Sequence, residues 1–196
     1  MNLSSHPPPL IASRKSAMVV WAHWISAGAI SLAYGLVWSR ELVESENVRG
    51  TLLALHRQLG LLVLLLWGLR LVARRLMAQP DQGGPLPDLL RWGAALSHGA
   101  LYFLLLAMPL LGWAMTSAQG HPIALFNLFA LPPLTATDPD LVDTLQDWHE
   151  WASWCLLGLV TLHALAALWH HHVRRDGVLA SMLPFLQPLP QRRFDR

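Results

Sequence analysis

Five histidines lie within long apolar stretches of this sequence, where an imidazole can do more chemistry than its neighbours. An ionisable group inside an apolar segment is costly to bury and generally faces a partner, so each position is a candidate functional site. An imidazole there can form a hydrogen bond between helices or bind a metal through a ring nitrogen. The five positions are His23, His56, His98, His149 and His163.

Cysteine chemistry is limited, because the chain has one cysteine, Cys155. A single thiol excludes an intramolecular disulfide, a four-thiolate zinc or iron–sulfur site, and the Cys-x-x-Cys-His attachment of c-type haem. Any metal chemistry must therefore use the histidines.

The spacing between His149 and His163 is the most informative pattern. Fourteen helical residues make close to four turns, so both imidazoles lie on one face, about 21 Å apart along the axis. One helix can therefore offer a ligand at each of two levels. A b-type haem with six-coordinate iron needs two opposed imidazoles, and helical bundles build such sites from facing helices.

These histidines lie in four apolar runs, each long enough to cross a hydrocarbon core of about 30 Å as a helix. The chain is 54% hydrophobic and 13% charged. Its apolar runs are rich in Leu and Ala and lack the two-residue alternation of barrel strands. The sequence therefore predicts an all-α membrane protein, a bundle of four transmembrane helices. The predicted spans are Ser16 to Trp38, Thr51 to Ala73, Gly93 to Ser117 and Trp148 to His172.

The bundle is expected to form one domain over residues 16–183, between an N-terminal segment, 1–15, and a tail, 184–196. The first span is longer than the apolar core of a signal peptide, so we expect it to be retained. Two connections, Gln79 to Pro87 and Leu131 to Pro139, are predicted to be loops because they contain helix-breaking Pro and Gly. The short apolar segment Gly120 to Leu131 is expected on the outer surface of the bundle.

The distribution of charge predicts the orientation, since Lys and Arg stay on the cytoplasmic side. One side carries 11 of the 14 basic residues, and the opposite side carries three basic and eight acidic residues. We therefore expect both termini in the cytoplasm. The formal net charge of +2 gives no reason to expect a nucleic-acid partner.

Depth along the spans sorts four of the histidines into two layers. His23 and His163 lie about 10 and 13 Å in from the cytoplasmic end, whereas His56 and His149 lie near the outer end. We name them the inner pair and the outer pair. The pattern favours two haem b groups with these pairs as axial ligands. Small residues that could make room for a macrocycle are Ala27, Gly28, Gly60 and Gly158.

Three further side chains are candidates for contact with the cofactor. His98 shares the inner layer, where it could replace one ligand, contact a haem propionate, pass a proton to quinone, or simply pack. Arg57 and Arg70 could each pair with a propionate through the guanidinium fork, or extend to the lipid headgroups. The run His170 to His172, followed by two arginines, is more typical of headgroup contact at a helix end than of a metal site.

Two alternative roles for the histidines stay open. They could form hydrogen bonds between helices, or bind ions transiently in a non-haem metal or solute transporter. Transporters usually show internal repeats and broken spans, and neither is visible. A zinc or copper site would gather three or four ligands around one ion, whereas these histidines separate into two layers.

Several motifs resemble the bacterial cytochrome b561 family of small inner-membrane dihaem proteins, from about Arg14 to Leu183. The motifs are Ala22-His23-Trp24, Leu55-His56-Arg57-Gln58-Leu59-Gly60, Trp148-His149-Glu150 and Leu162-His163-Ala164, with a similar third span from His98 through Gly112 and on to Gly120. The resemblance implies two haem b groups on the first, second and fourth helices. The implied ligand pairs are His23 with His163 and His56 with His149.

The resemblance also implies electron exchange with the quinone pool, with ubiquinone as substrate. In well-known members it implies superoxide oxidation at the periplasmic face, although the acidic outer connections disfavour attraction of an anion to that face. We expect one-electron transfer, because iron with two imidazole ligands keeps no open position. The electron donor could be superoxide or a protein. A haem-bearing anchor subunit for a separate dehydrogenase stays an alternative.

Overall fold

The computed structural model describes residues 16–76, 87–126 and 128–183. It contains four long helices, as the sequence predicts: α1 (Ala17–Glu41), α2 (Glu46–Leu76), α3 (Asp88–Ala118) and α4 (Pro139–Trp169). The predicted N-terminal segment and tail, and most of the predicted loop from Gln79, lie outside the described residues.

Three helices begin well before the apolar runs that predicted them. Helix α2 begins at Glu46, α3 at Asp88 and α4 at Pro139. Apolar residues mark only the part of a helix that lies in hydrocarbon, and backbone hydrogen bonds continue the helix beyond it. At the start of α4, Pro139 is pre-organised for a first helical turn, and the Asp138 carboxylate accepts from the Asp140 and Leu141 amides at 3.1 and 3.2 Å.

All four helices are long and apolar enough to cross a membrane. Their outward faces carry large apolar side chains, including Leu65, Phe103 and Leu162, which are 58%, 68% and 58% exposed. Exposed apolar surface on this scale suits lipid, where every helical backbone group is already satisfied within its own segment. The fold is therefore a transmembrane helical bundle.

The buried core lies between the two histidine layers. It takes one residue from each helix: Ala29, Val63, Leu105 and Leu156. Leu156 lies midway along α4 between His149 and His163, and it is 3% exposed. Packed apolar side chains thus separate the two levels of the bundle.

Helices α1 and α2 pack together, as do α3 and α4, and α2 joins the two halves by packing on α3. The Trp67 indole donates to the Tyr102 carbonyl at 2.9 Å across the α2–α3 contact. Tyr34 on α1 donates to the Ser153 carbonyl of α4 at 2.6 Å. This hydrogen bond connects the first and last helices near the outer layer.

The connection from α3 to α4 contains an antiparallel hairpin of two short strands, β1 (Ile123–Leu125) and β2 (Phe129–Leu131). Gln58 on α2 holds the hairpin at two backbone groups. Its amide nitrogen donates to the Ala124 carbonyl at 2.9 Å, and its oxygen accepts from the Phe126 amide at 2.8 Å. The sequence predicted an apolar surface segment here but not the strands.

Candidate functional site

The outer pair meets across the bundle interior. The rings of His56 on α2 and His149 on α4 have centroids 6.2 Å apart and an interplanar angle of 76°. His56 Nδ1 lies 3.0 Å from the Ala33 carbonyl oxygen. A carbonyl can only accept, so Nδ1 carries the proton and Nε2 keeps the lone pair that a metal needs.

His149 is positioned by α3. A Cβ atom added at Gly112 would lie 3.4 Å from His149 Cε1, so the absence of a side chain makes room for the imidazole. His149 Nδ1 is buried, and the backbone of Met108 on α3 interacts with the same imidazole. Helix α3 therefore fixes the position of the His149 ring through Gly112 and Met108.

A cavity of about 520 Å³ opens between the four helices at this level. That volume lies within the usual range of about 300–1,000 Å³ for ligand and cofactor sites. Both histidines of the outer pair line it, as do Gly60 and Gly112, and apolar side chains such as Leu105 form most of its wall. A lining of this kind suits a flat apolar macrocycle.

The separation of the two rings can be compared with the spacing that a haem held between two imidazoles needs. A metal–nitrogen bond of about 2 Å on each side, plus about 1 Å from each nitrogen to its ring centre, puts opposed imidazole centroids about 6 Å apart. The observed 6.2 Å agrees with that value. The residues present therefore fit a haem held by two imidazoles.

Two arginines line the outer cavity, Arg40 from α1 and Arg57 from α2, beside the carboxylates of Glu41 and Glu150. Arg57 donates to the Gln119 side-chain oxygen at 3.3 Å, and Arg40 Nε is buried without a hydrogen-bond partner among the described residues. A guanidinium is a strong binder of carboxylates such as haem propionates.

Arg40 is not among the site residues that the sequence predicted. Arg40 follows Ala33 by seven residues, or two helical turns, so both lie on one face of α1. The seven-residue spacing therefore places Arg40 on the same face as Ala33. This spacing could identify Arg40 as a site residue only once Ala33 was known to face His56.

The inner level brings together three imidazoles rather than two. His23 and His163 have ring centroids 6.2 Å apart at 58°, and His98 on α3 lies 5.4 Å from His163 at 83°. His98 Nδ1 lies 2.7 Å from the Ala94 carbonyl of its own helix, so its Nε2 keeps a lone pair. The predicted ligands His23 and His163 and the predicted third candidate His98 thus lie together at the inner level.

Arg70 reaches the inner pair. Its guanidinium donates to His23 Nδ1 at 3.4 Å and lies 5.5 Å from the centre of the Tyr102 ring. A guanidinium can only donate, so His23 Nδ1 accepts, and a neutral imidazole then carries its proton on Nε2. Arg70 must release Nδ1 if His23 is to bind a metal through Nε2. The contact places Arg70 within reach of a cofactor instead of extending it to headgroups.

His98 and the inner pair do not form a compact ion site with other described residues. Within the three described ranges, no group of three or more His, Cys, Asp or Glu side chains could hold a metal ion. The remaining small residues are compatible with a macrocycle, because a Cβ added at Gly28, Gly60 or Gly158 would meet nothing within 4 Å. The arrangement suits haem better than zinc or copper.

Four membrane-spanning helices around paired imidazoles define the class of the protein as a membrane cytochrome. Residues 14–185 match the prokaryotic cytochrome b561 family. The chain is 30% identical over 165 residues to cytochrome b561 homolog 2 of Escherichia coli (strain K12), covering 82% of this chain and 86% of that protein. It is 27% identical over 175 residues to cytochrome b561 homolog 1 of the same organism, covering 88% and 98%.

A third relative is the probable superoxide oxidase CybB of Yersinia pestis, 28% identical over 170 residues, which cover 86% of this chain and 95% of that protein. The chain belongs to the prokaryotic cytochrome b561 family. It is a multi-pass inner-membrane protein, a haem-binding b-type cytochrome of electron transfer. The predicted family, helical bundle and haem b binding are confirmed.

Proposed function

We propose that this chain carries single electrons across the membrane between two haem b groups. His56 and His149 bind the outer haem, and His23 and His163 bind the inner haem. The observation that carries this proposal is a pair of neighbouring imidazoles from two helices at each of two levels of α4, both with centroids 6.2 Å apart. Bound haem supplies reversible one-electron chemistry, and iron with two imidazole ligands offers no open position for oxygen.

The protein's own residues fix the positions of the two sites. Helix α4 sets their separation through the fourteen residues from His149 to His163. The core around Leu156 and Val63 keeps water out of the space between them. Arg57 and Arg40 bind propionates at the outer haem, and Arg70 does so at the inner haem.

The partner at the inner level is a quinone, ubiquinone being the form expected from the sequence. Reduction of a quinone to a quinol takes two electrons, delivered one at a time, and two protons. His98 is the exposed imidazole at this level, beside His163, and its Nε2 lone pair can take up a proton and pass it to the quinone. The arginine-rich end of the bundle, with both termini, faces the cytoplasm.

Superoxide is a second candidate, as the donor at the outer face. The Yersinia pestis relative is a probable superoxide oxidase, and Arg40 and Arg57 line the outer cavity despite the acidic connections around it. Each superoxide would lose one electron and leave as dioxygen. Two such steps reduce one quinone.

Rapid mixing of the purified oxidised protein with a ubiquinol analogue, and separately with a superoxide source, tests both partners. We expect haem reduction by the quinol, slowed in His98→Phe, and haem reduction by superoxide, slowed in Arg57→Met. If the haem stays oxidised after mixing with the quinol, the quinone assignment is contradicted. Haem reduction by superoxide at equal rates in wild type and Arg57→Met would contradict the outer-face route.

A further inference from the structure

The chain reverses direction where α4 ends. A π-helical turn, His170–Arg174, follows α4, and Arg175 then adopts a left-handed conformation with φ 54°. Gly177 is also left-handed, with φ 77°. Two residues of this kind so close together turn the backbone sharply, at little cost for glycine and at some cost for arginine. We name residues 175–183 the clasp segment.

Asp176 holds the start of the clasp segment against the end of α4. Its carboxylate lies 2.5 Å from His170 Nδ1 and 3.2 Å from Arg174 Nε, and it accepts from the Val178 amide at 3.3 Å. The Asp176 side chain is 11% exposed. Hydrogen bonds to a charged acceptor are about twice as strong as neutral ones. The largely buried Asp176 carboxylate, with three donors, therefore holds the clasp segment firmly against the end of α4.

The hydrogen bonds of Asp176 lie beyond the inner pair, towards the C-terminal end of α4. His170 follows His163 by seven residues, so it lies about 10 Å further along the helix on nearly the same face. The sequence predicted headgroup contact for the whole run His170 to His172, but His170 makes a separate contact within the protein. It faces Asp176, whereas the neighbouring His171 and His172 contact each other.

The far end of the clasp segment is tied to α1 beside a predicted haem ligand. The Trp24 indole donates to the Met182 carbonyl at 2.7 Å. The same indole lies edge-on to the His23 ring, with centroids 5.3 Å apart and an interplanar angle of 81°. A continuous series of contacts therefore runs from the end of α4 through the clasp segment to the imidazole of His23.

We propose that Trp24 and Asp176 are positioning residues for the inner haem, which they serve by fixing the orientation of the His23 ring through the clasp segment. This inference rests on the proposed function, in which His23 binds that haem. Groups that orient a metal ligand typically contribute about 10–100-fold to the affinity for the metal.

The test compares Trp24→Phe, which keeps an aromatic ring beside His23 but removes the indole N–H, with Asp176→Ala, which removes the carboxylate. Trp21→Phe is the matched control, because Trp21 lies on the same helix and is 65% exposed. The measurements are the reduction potential and electron paramagnetic resonance signal of each haem, and the rate of haem loss to an apoglobin. The inner haem is identified as the one lost in His163→Ala.

We expect both variants to retain two haems, to alter the signal and potential of the inner haem alone, and to speed its loss about 10-fold. Trp21→Phe should match the wild type. An inner haem unchanged in either variant would overturn the clasp proposal. Failure of the proposed function is a separate result, since a wild-type protein without two haems, or a His23→Ala variant that keeps both, would show it directly.

Discussion

His149 packs against Gly112 of α3, so that a Cβ atom at that glycine would lie 3.4 Å from the imidazole Cε1. A branched side chain at this position should push His149 away from His56. We predict that Gly112→Val weakens binding of the outer haem by about 1–3 kcal/mol, the usual cost of overpacking. Haem titration and the rate of haem loss measure the effect.

Gly99→Val on the same helix is the matched control for Gly112→Val, because a Cβ at Gly99 meets nothing within 4 Å. Equal haem affinity in the two variants would contradict the role given to Gly112.

Removal of one ligand from each level should remove one haem at a time. We predict that His149→Ala loses the outer haem and His163→Ala the inner haem, since each has lost half of an opposed pair. Spectra of the two variants should therefore be complementary, and their sum should resemble the wild type. Loss of the same haem from both variants would show that the two layers are assigned wrongly.

The third imidazole at the inner level is predicted not to be an axial ligand. His98→Phe should keep two haems per chain, whereas His23→Ala should keep one. The haem content of the two purified variants distinguishes the roles. If His98→Phe loses the inner haem and His23→Ala retains it, His98 is the ligand and the lone pair on its Nε2 has been used for iron.

Arg57 should raise the reduction potential of the outer haem, because a nearby cation favours the reduced, less positive state. Its replacement by Met is expected to lower the potential by about 40–90 mV, which is about 1–2 kcal/mol for one electron, as for a unit charge roughly 8–16 Å away at an effective dielectric near 20. A redox titration followed by optical spectra measures the shift.

Arg49→Met is the control for Arg57→Met, since Arg49 pairs with Glu46 at 3.3 Å and does not line the outer cavity. The same shift in both variants would mean that Arg57 acts only through the general charge of the outer end.

The sequence predicted the features that follow from apolarity and helical period. Runs of Leu and Ala are sufficient to define four spans, and a fourteen-residue step on one helix places His149 and His163 at two levels. The pairing by depth then follows from simple arithmetic, and the structure brings His56 to His149 and His23 to His163. Local rules were enough because these features depend on one helix at a time.

The features that the sequence did not reveal depend on contacts between distant segments. The hairpin forms because Gln58 satisfies two of its backbone groups across 66 and 68 residues. The clasp segment depends on left-handed Arg175, a conformation that no propensity favours for arginine. Arg70 reaches His23 only after two helices have packed. Such contacts form only when the helices have packed, and they leave no periodic pattern in the sequence.

Electron passage between two levels of α4 is tested best by the haem b content per chain of the purified protein, with the difference spectrum between its reduced and oxidised forms. Two opposed imidazole pairs predict two low-spin haems per chain with distinguishable reduction potentials. A folded protein from haem-replete cells that carries one haem, or none, would contradict transfer between two haem sites.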